Sequence, residues 1–333
     1  MNFTHFIGID VSKDTLDFAV VATNKILFHQ QVSNDKKGIT QFLKELRKQT
    51  KAKLVDCLFC LEFTGIYNNP LLNTLHSQTS IWVERAAHIK DSLGLCRGKT
   101  DKLDSKRIAL FAYKNREDAR LWSPPRQVIS QLDRLTAQRA RLTKAIKLLK
   151  TPLSNTEGFL SKDDRKSNQQ ACCQSLIALK ADLKATDKSI AEVVENDPEL
   201  KHLFERMTSI KGISQTTAVE VIITTNEFKS ITDPKKYAFY AGVVPFEHSS
   251  GQRKGKPKVS QMANKKVKSL LHLAALSAIQ HCSELKAYYE RKVAEGKNKM
   301  LVINNVRNKL VLRIFACVRD DRNYDEKYKH ALA

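Results

Sequence analysis

An α/β layer followed by a largely helical remainder is the fold class that the 333-residue sequence predicts, on three observations. Up to about residue 120, short apolar runs meander and then alternate with segments of helical spacing. Pro124-Pro125 closes that unit, because neither residue can continue a helix, and a heptad seam begins directly after it. From about residue 200 the chain reads as mostly helical again. The expected division is an α/β domain at 1–122, a helical hairpin at 123–200 and a helical domain at 201–333.

Strands are expected at 5–12, 15–23, 25–33, 53–62 and 79–84, and helices at 36–50, 65–77, 86–95 and 101–115. The first strand sets Phe6, Ile7, Ile9 and Val11 around one carboxylate, Asp10. Asp14-Thr15 then turns the chain into a second apolar run, Leu16 to Ala22. Three meandering strands, then helices interleaved with strands, imply a mixed sheet carrying helices, in the order of the ribonuclease H-like topology.

Beyond the prolines, Val128, Leu132, Leu135, Arg139, Leu142, Ile146 and Leu149 recur at alternating four and three residues. Arg139 is the one polar interruption of that seam. The helix is basic, with Arg126, Arg134, Arg139, Arg141, Lys144, Lys147 and Lys150 against Asp133 alone. A polar stretch, 151–170, turns the chain back, and Leu176, Leu179, Leu183, Ile190 and Val193 carry a second seam. An antiparallel coiled-coil hairpin reaching out from the first domain is expected; an ordinary helix pair in a globular core is the alternative.

In the last region, Ser209-Ile210-Lys211-Gly212-Ile213-Ser214 leads into an apolar helical stretch at 216–222. Two helices joined by a Gly-centred turn read as a helix-hairpin-helix, whose backbone N–H groups can hold a phosphate near Lys211 and Gly212. A loop at 242–251 precedes a basic run of Arg253, Lys254, Lys256, Lys258, Lys265, Lys266 and Lys268, with no acid from 248 to 268. Seven cations without one carboxylate point to phosphate contact rather than a merely solvated loop. Lys13, beside the first strand, and Arg139 complete the expected nucleic-acid contacts. An apolar helix is expected at 267–280.

Composition narrows the function. The chain has 57 Lys+Arg against 35 Asp+Glu, a formal charge of +22, which favours a polyanionic partner such as nucleic acid. A membrane surface fits less well, since the charge is spread along the chain. With no signal-peptide pattern at the start and no run of 18 apolar residues, a cytoplasmic location is expected. The cysteines fit reduced thiols. Cys57-x-x-Cys60 has metal-like spacing, but it lies inside an apolar strand with no second Cys or His pair nearby, so core packing is expected.

Four acids carry the expected chemistry: Asp10 on the first strand, Glu62 ending the fourth, and Asp101 and Asp104 in Thr100-Asp101-Lys102-Leu103-Asp104. Three residues apart on a helix, the last two share a face. Carboxylates converging at one sheet edge repel one another, and divalent cations with a taste for hard oxygen, Mg²⁺ above all, relieve that repulsion. Two such ions about 4 Å apart stabilise both the attacking and the leaving oxygen of a phosphodiester. Helix capping is the alternative for Asp101 and Glu62, and a hairpin cap for Asp10.

Gly8-Ile9-Asp10-Val11-Ser12-Lys13, Glu62-Phe63-Thr64-Gly65-Ile66-Tyr67 and Thr100-Asp101-Lys102-Leu103-Asp104 resemble the three motifs of the DEDD transposases of the IS110 family of insertion sequences, which also takes in the Piv-type DNA invertases. Tyr240-Ala241-Gly242-Val243-Val244-Pro245 through Ser250-Gly251 resembles that family's second block. The resemblance implies a RuvC-like first domain whose Asp10, Glu62, Asp101 and Asp104 bind Mg²⁺, and a C-terminal transposase domain in which Ser250 attacks DNA to form a phosphoserine intermediate. Ser249, its neighbour, leaves the register open by one residue. Further implied are donor and target double-stranded DNA, an element-encoded guide (bridge) RNA, and a homodimer or homotetramer. One departure stands out: where the family commonly has Lys-x-Gly-Asn after the basic run, this chain has Gln261-Met262-Ala263-Asn264.

Three other readings compete. A RuvC-like, Mg-dependent nuclease acting by hydrolysis needs only the four acids and water. An actin-like sugar kinase shares the Gly-Ile-Asp start, but expects a second Gly-rich phosphate loop that a chain with 11 Gly does not offer, and leaves the charge unexplained. A non-enzymatic nucleic-acid-binding protein would use the acids only as caps.

Overall fold

The structure, a computed structural model, describes residues 3–92, 94, 98, 100–154, 158–250, 253–259 and 263–326. The chain divides into two compact units, Met1–Pro124 and Pro125–Ala333.

In the first unit, β1 (His5–Val11), β2 (Thr15–Ala22) and β3 (Lys25–Ser33) form an antiparallel meander. Thr23 and Asn24 both take positive φ (48° and 63°), as a tight two-residue hairpin turn requires. The helix α1 (Lys36–Thr50) follows, its first turn capped by Asp35, which accepts from the Gly38 N–H. After α1, β4 (Cys57–Glu62) pairs with β1 in parallel, α2 (Asn69–Leu75) crosses over, and β5 (Ser80–Glu84) pairs with β4 in parallel. Next come α3 (Ala86–Ser92) and α4 (Asp101–Lys114). The sheet order β3-β2-β1-β4-β5 makes this a mixed α/β unit, consistent with the ribonuclease H-like order.

Strand alternation sorts the two faces. Ile7, Ile9, Val11, Phe59 and Leu61 pack with Phe42, Leu46, Leu71 and Leu75 of α1 and α2. Phe6, Ala19, Leu58 and Cys60 pack with Ile108, Ala109 and Phe111 of α4. Cys57 and Cys60 therefore fall in different clusters on opposite faces, and burial pushes the Cys57 thiol up to about 12. They are core residues, as their apolar surroundings in the sequence suggested. Two expected elements are shorter: Leu54–Asp56 is a 3-10 turn ahead of β4, and Gly65–Asn68 another ahead of α2, whose start is set by Pro70.

The second unit opens with α5 (Gln127–Ser154) and α6 (Lys162–Glu195), a helical hairpin. Arg139, the polar break in the seam, donates from Nε to Asp187 Oδ1 at 2.6 Å and so bridges the two helices. At the root, Ile129, Leu132, Ile190 and Val194 join the core formed by the remaining helices. Arg126 clamps the root: it donates to both oxygens of Asp197 (2.8 and 3.0 Å) and, from Nε, to both oxygens of buried Glu227 (3.0 Å each).

The rest of the unit comprises α7 (Pro198–Thr208), α8 (Gln215–Thr225), α9 (Pro234–Tyr240), β6 (Pro245–Ser250), β7 (Arg253–Val259), α10 (Lys265–His281), α11 (Ser283–Ala294) and α12 (Lys299–Arg319). Here the structure corrects one expectation. The stretch read as a loop followed by a basic run is an antiparallel pair of strands, with Ser250 opposite Arg253, Ser249 opposite Lys254 and Pro245 opposite Val259. Backbone pairing overrides a side-chain pattern that has no period-two apolar signal. Among the described residues, no helix is long and apolar enough to cross a membrane.

Candidate active site

Parallel pairing of β1 with β4 sets Ile9 beside Leu61, so Asp10 and Glu62 come next along neighbouring strands, both on the face covered by α4. Strands this close stand about 4.8 Å apart. Gly8 makes the cover possible: a Cβ there would lie 2.1 Å from the Ala109 backbone N and 2.2 Å from the Ser105 O. With α4 lying against β1, its first turn brings Asp101 and Asp104 toward the same edge. Thr100 caps that turn, accepting from Leu103 N at 3.2 Å, and acids there are favoured by the helix dipole.

The electrostatics register this gathering. The Asp10 carboxyl is pushed up to about 6, first by burial and then by the charges of Asp101, Asp104, Glu62 and Asp17. Asp104 accepts from Arg107 Nη1 at 2.8 Å, and Asp101 is exposed. As they stand, no three His, Cys, Asp or Glu side chains among the described residues converge closely enough to hold a metal ion. The donor set nonetheless fits a hard cation in kind: four carboxylates at one edge, one of them crowded out of its usual ionisation range, and one in an ion pair that a stronger cation can displace.

The surrounding loops are tied down. Asn68, wholly buried, donates to the Glu62 carbonyl at 3.1 Å and accepts from the Thr64 hydroxyl. Asn34 Nδ2 donates to the carbonyls of both Ser12 (2.8 Å) and Tyr67 (2.9 Å), joining the β1–β2 turn that carries exposed Lys13 to the loop after β4.

Reading the sequence missed Asp17. It lies directly across from Asp10 in the β1–β2 register, is only 3% exposed, and is held by His29 Nε2 at 2.8 Å and Gln31 Nε2 at 2.9 Å. The signal was there: Asp17 interrupts an apolar run on β2, as Asp10 does on β1.

The other expected residues belong to the second unit. Ser250 ends β6 and Ser249 precedes it; their side chains, with those of Arg253, Lys254, Lys256 and Lys258, lie outside the described residues, as do Gln261 and Met262. Asn264 caps α10, accepting from Val267 N at 3.1 Å and donating to the Tyr240 hydroxyl at 2.7 Å. Gly212 takes φ +97°, and a Cβ there would meet the Ala274 carbonyl at 2.6 Å, so the α7–α8 turn is seated on α10. Three expected nucleic-acid contacts are held by carboxylates: Lys211 by Glu326 (3.0 Å), Lys266 by buried Glu220 (2.5 Å) and Arg139 by Asp187. Lys265 is exposed at the start of α10.

Two family models match parts of this chain. A family model of DEDD transposases of IS110 type matches residues 7–156, and one described as the IS116/IS110/IS902 transposase family matches residues 204–290. The pilin gene-inverting protein of Moraxella bovis is 25% identical over 331 residues, covering 97% of this chain and 98% of that protein. Its counterpart in Moraxella lacunata matches to the same extent. An uncharacterized 44.8 kDa protein of insertion element IS116 from Streptomyces clavuligerus is 21% identical, covering 95% of each chain.

Proposed function

The chain belongs to the IS110 family of transposases, and from that premise we propose that it cuts and rejoins DNA through a RuvC-like carboxylate edge and a serine nucleophile. The observation that carries the reading is the placement of Asp10 and Glu62 on neighbouring strands beside the first turn of α4, which bears Asp101 and Asp104, with burial and the charges of these acids raising the Asp10 carboxyl. Those four side chains would hold Mg²⁺, which would supply positive charge to offset that of the phosphate under attack. Asn68 and Asn34 keep the Glu62 loop and the β1–β2 turn in register, so the carboxylates need little reorganisation.

The Ser250 hydroxyl forms a new P–O bond, the bond to the deoxyribose oxygen breaks, and the departing strand leaves as a free hydroxyl, taking up a proton in place of the one that serine loses. A hydroxyl from another strand reverses the step and releases the serine, so the phosphodiester energy is kept and no nucleotide cofactor is needed. The names of the Moraxella relatives, which describe inversion of a pilin gene, support a rejoining rather than a purely hydrolytic enzyme. The partners in this reading are donor and target double-stranded DNA, an element-encoded guide RNA and further copies of the chain, with the hairpin as a coiled-coil means of assembly.

The test is a trapping assay on a nicked or suicide DNA substrate with Mg²⁺ and RNA from the element's flank, comparing the native protein with Ser250→Ala and Ser249→Ala. A denaturation-resistant protein–DNA adduct lost only in Ser250→Ala is expected. Cleavage without an adduct, equal in all three, would establish the hydrolytic nuclease instead.

A further inference from the structure

At the end of α12 the chain turns back on itself. Asp321 takes φ 47°, its N–H donates to the Val318 carbonyl at 3.3 Å, and the Arg322 N–H donates to the Cys317 carbonyl at 3.0 Å. This pattern closes a helix with one left-handed residue, and glycine fits that position with least strain. A carboxylate stands there instead, and it is used. Asp321 accepts from His202 Nε2 and, at 3.3 Å, from Arg206 Nε, both on α7.

The residues that follow run across the α7–α8 turn. Arg206 Nη1 donates to Asn323 Oδ1 at 2.8 Å, the Tyr324 N–H donates to the Ser209 hydroxyl oxygen at 2.8 Å, and Glu326 pairs with Lys211 at 3.0 Å. The Tyr324 ring packs against the helical core beneath the Arg313 guanidinium, 4.8 Å away, and anchors the segment midway. Residues 320–326 hold four acids and one arginine, in a chain whose formal charge is +22. The His202 hydrogen bond holds the Asp321 carboxyl, and the Lys211 hydrogen bond that of Glu326, below the usual carboxylate range, so both stay charged near neutral pH.

The cations beneath this segment are of the kind that meets phosphate. Lys211 adjoins the Gly212 turn, and His202 and Arg206, one helical turn apart, share a face of α7. Apart from the Tyr324 ring, the contacts that cover them are polar and partly open to water. Pairs of that sort contribute little each and weaken with salt, so a polyanion presenting several charges at once can exchange for them.

We propose that His202, Arg206 and Lys211 form a contact surface for the phosphate backbone of duplex DNA, and that the acidic segment 320–326 covers this surface in the free chain and is displaced when DNA binds. The segment is an internal competitor, because its carboxylates meet the same donors that phosphate oxygens would. Backbone contacts of this kind position a duplex without reading its sequence. The inference rests on DNA being the substrate, but not on Ser250 being the nucleophile, and a binding measurement reads it without any cleavage.

The experiment measures the affinity of the full-length chain for a duplex oligonucleotide, and for single-stranded RNA of equal length, near physiological salt. Asp321→Asn/Glu326→Gln removes two carboxylates of the segment, and is expected to bind duplex about fivefold more tightly. Asp182→Asn/Glu192→Gln, on the exposed side of α6, makes the same change of charge elsewhere and should alter affinity less than about twofold. Adding His202→Gln and Lys211→Gln to the first variant should return its affinity to about the native value. Hydrogen exchange of the Tyr324 amide, protected by Ser209 in the free chain, should speed up when duplex is bound. Equal gains in the two neutralised variants overturn the proposal, because net charge alone then accounts for them. A gain for RNA only, a gain that survives loss of His202 and Lys211, or a Tyr324 amide that stays protected in the complex also overturns it. If neither the native chain nor any variant binds duplex, the recombinase reading fails first, and the two failures are distinguished.

Discussion

Asp10 and Asp17 face each other across the first two strands, one carboxyl at the candidate active edge and the other buried and gripped by His29 and Gln31. Two acids in direct cross-strand register repel each other, and Asp17 is among the charges that raise Asp10. Asp17→Asn is therefore expected to bring the Asp10 carboxyl back toward its ordinary range, seen by NMR titration of side-chain carboxyls. It is also expected to weaken Mg²⁺ binding by about 10-fold, the lower end for an outer-shell partner. An Asp10 titration that does not move would remove Asp17 from the site.

The raised Asp10 also sets a pH dependence. An acid whose folded value lies above its unfolded one binds more protons folded, so the stability of the metal-free protein falls as pH rises from about 4 to about 6 and is level above. The full shift corresponds to about 3 kcal/mol, and solvent screening of this half-buried group reduces it to roughly 1–2 kcal/mol. Asp10→Asn should stabilise the metal-free protein by that amount at pH 7 and flatten the dependence, while abolishing strand exchange. Denaturant titrations at pH 4.5 and 7 measure it.

Asp104 is shared between Arg107 and the metal that we propose. Arg107→Met frees it from a partly exposed ion pair worth up to about 1 kcal/mol, so Mg²⁺ affinity should rise by as much as about fivefold in calorimetric titration. A fall would mean that Arg107 holds Asp104 in the geometry the cation needs.

Gly8→Ala places a methyl group where the α4 backbone already is. The helix must withdraw, carrying Asp101 and Asp104 with it. A loss of about 3 kcal/mol or more in unfolding free energy is expected, together with loss of Mg²⁺ binding.

At the hairpin root, Arg126→Met leaves Glu227 buried with, among the described residues, only Lys229 paired to it. Breaking such a pair costs about 3–5 kcal/mol, here read as a lower melting temperature. Arg139→Met, which breaks a more exposed pair in the same hairpin, should cost less than about 1 kcal/mol.

Much of the first unit was legible because its strands obey period two and its acids interrupt apolar runs; Asp10 and Glu62 stand out for that reason. Asp17 interrupts its run in the same way, but its significance comes from register with Asp10, and register is a property of two strands. The β6–β7 pair was hidden by a second strand with basic residues at four of its seven positions: strand signals are apolar, and pairing of backbones leaves none. Lys211 and Lys266 looked like free cations in the sequence and prove to be held by acids distant along the chain.

The helical hairpin is mechanically a cantilever. The 28 residues of α5 make a beam about 42 Å long, more than one turn of duplex DNA. It is stiffened by two pins of unequal strength: Arg139 to Asp187 partway along, partly open to water, and Arg126 to Asp197 and Glu227 at the root. A load applied at the far end yields at the weaker pin first. In the assembly that we propose, two copies paired by their beams would adjust their separation by flexing near Arg139, while the root, and the helices packed on it, keep their geometry.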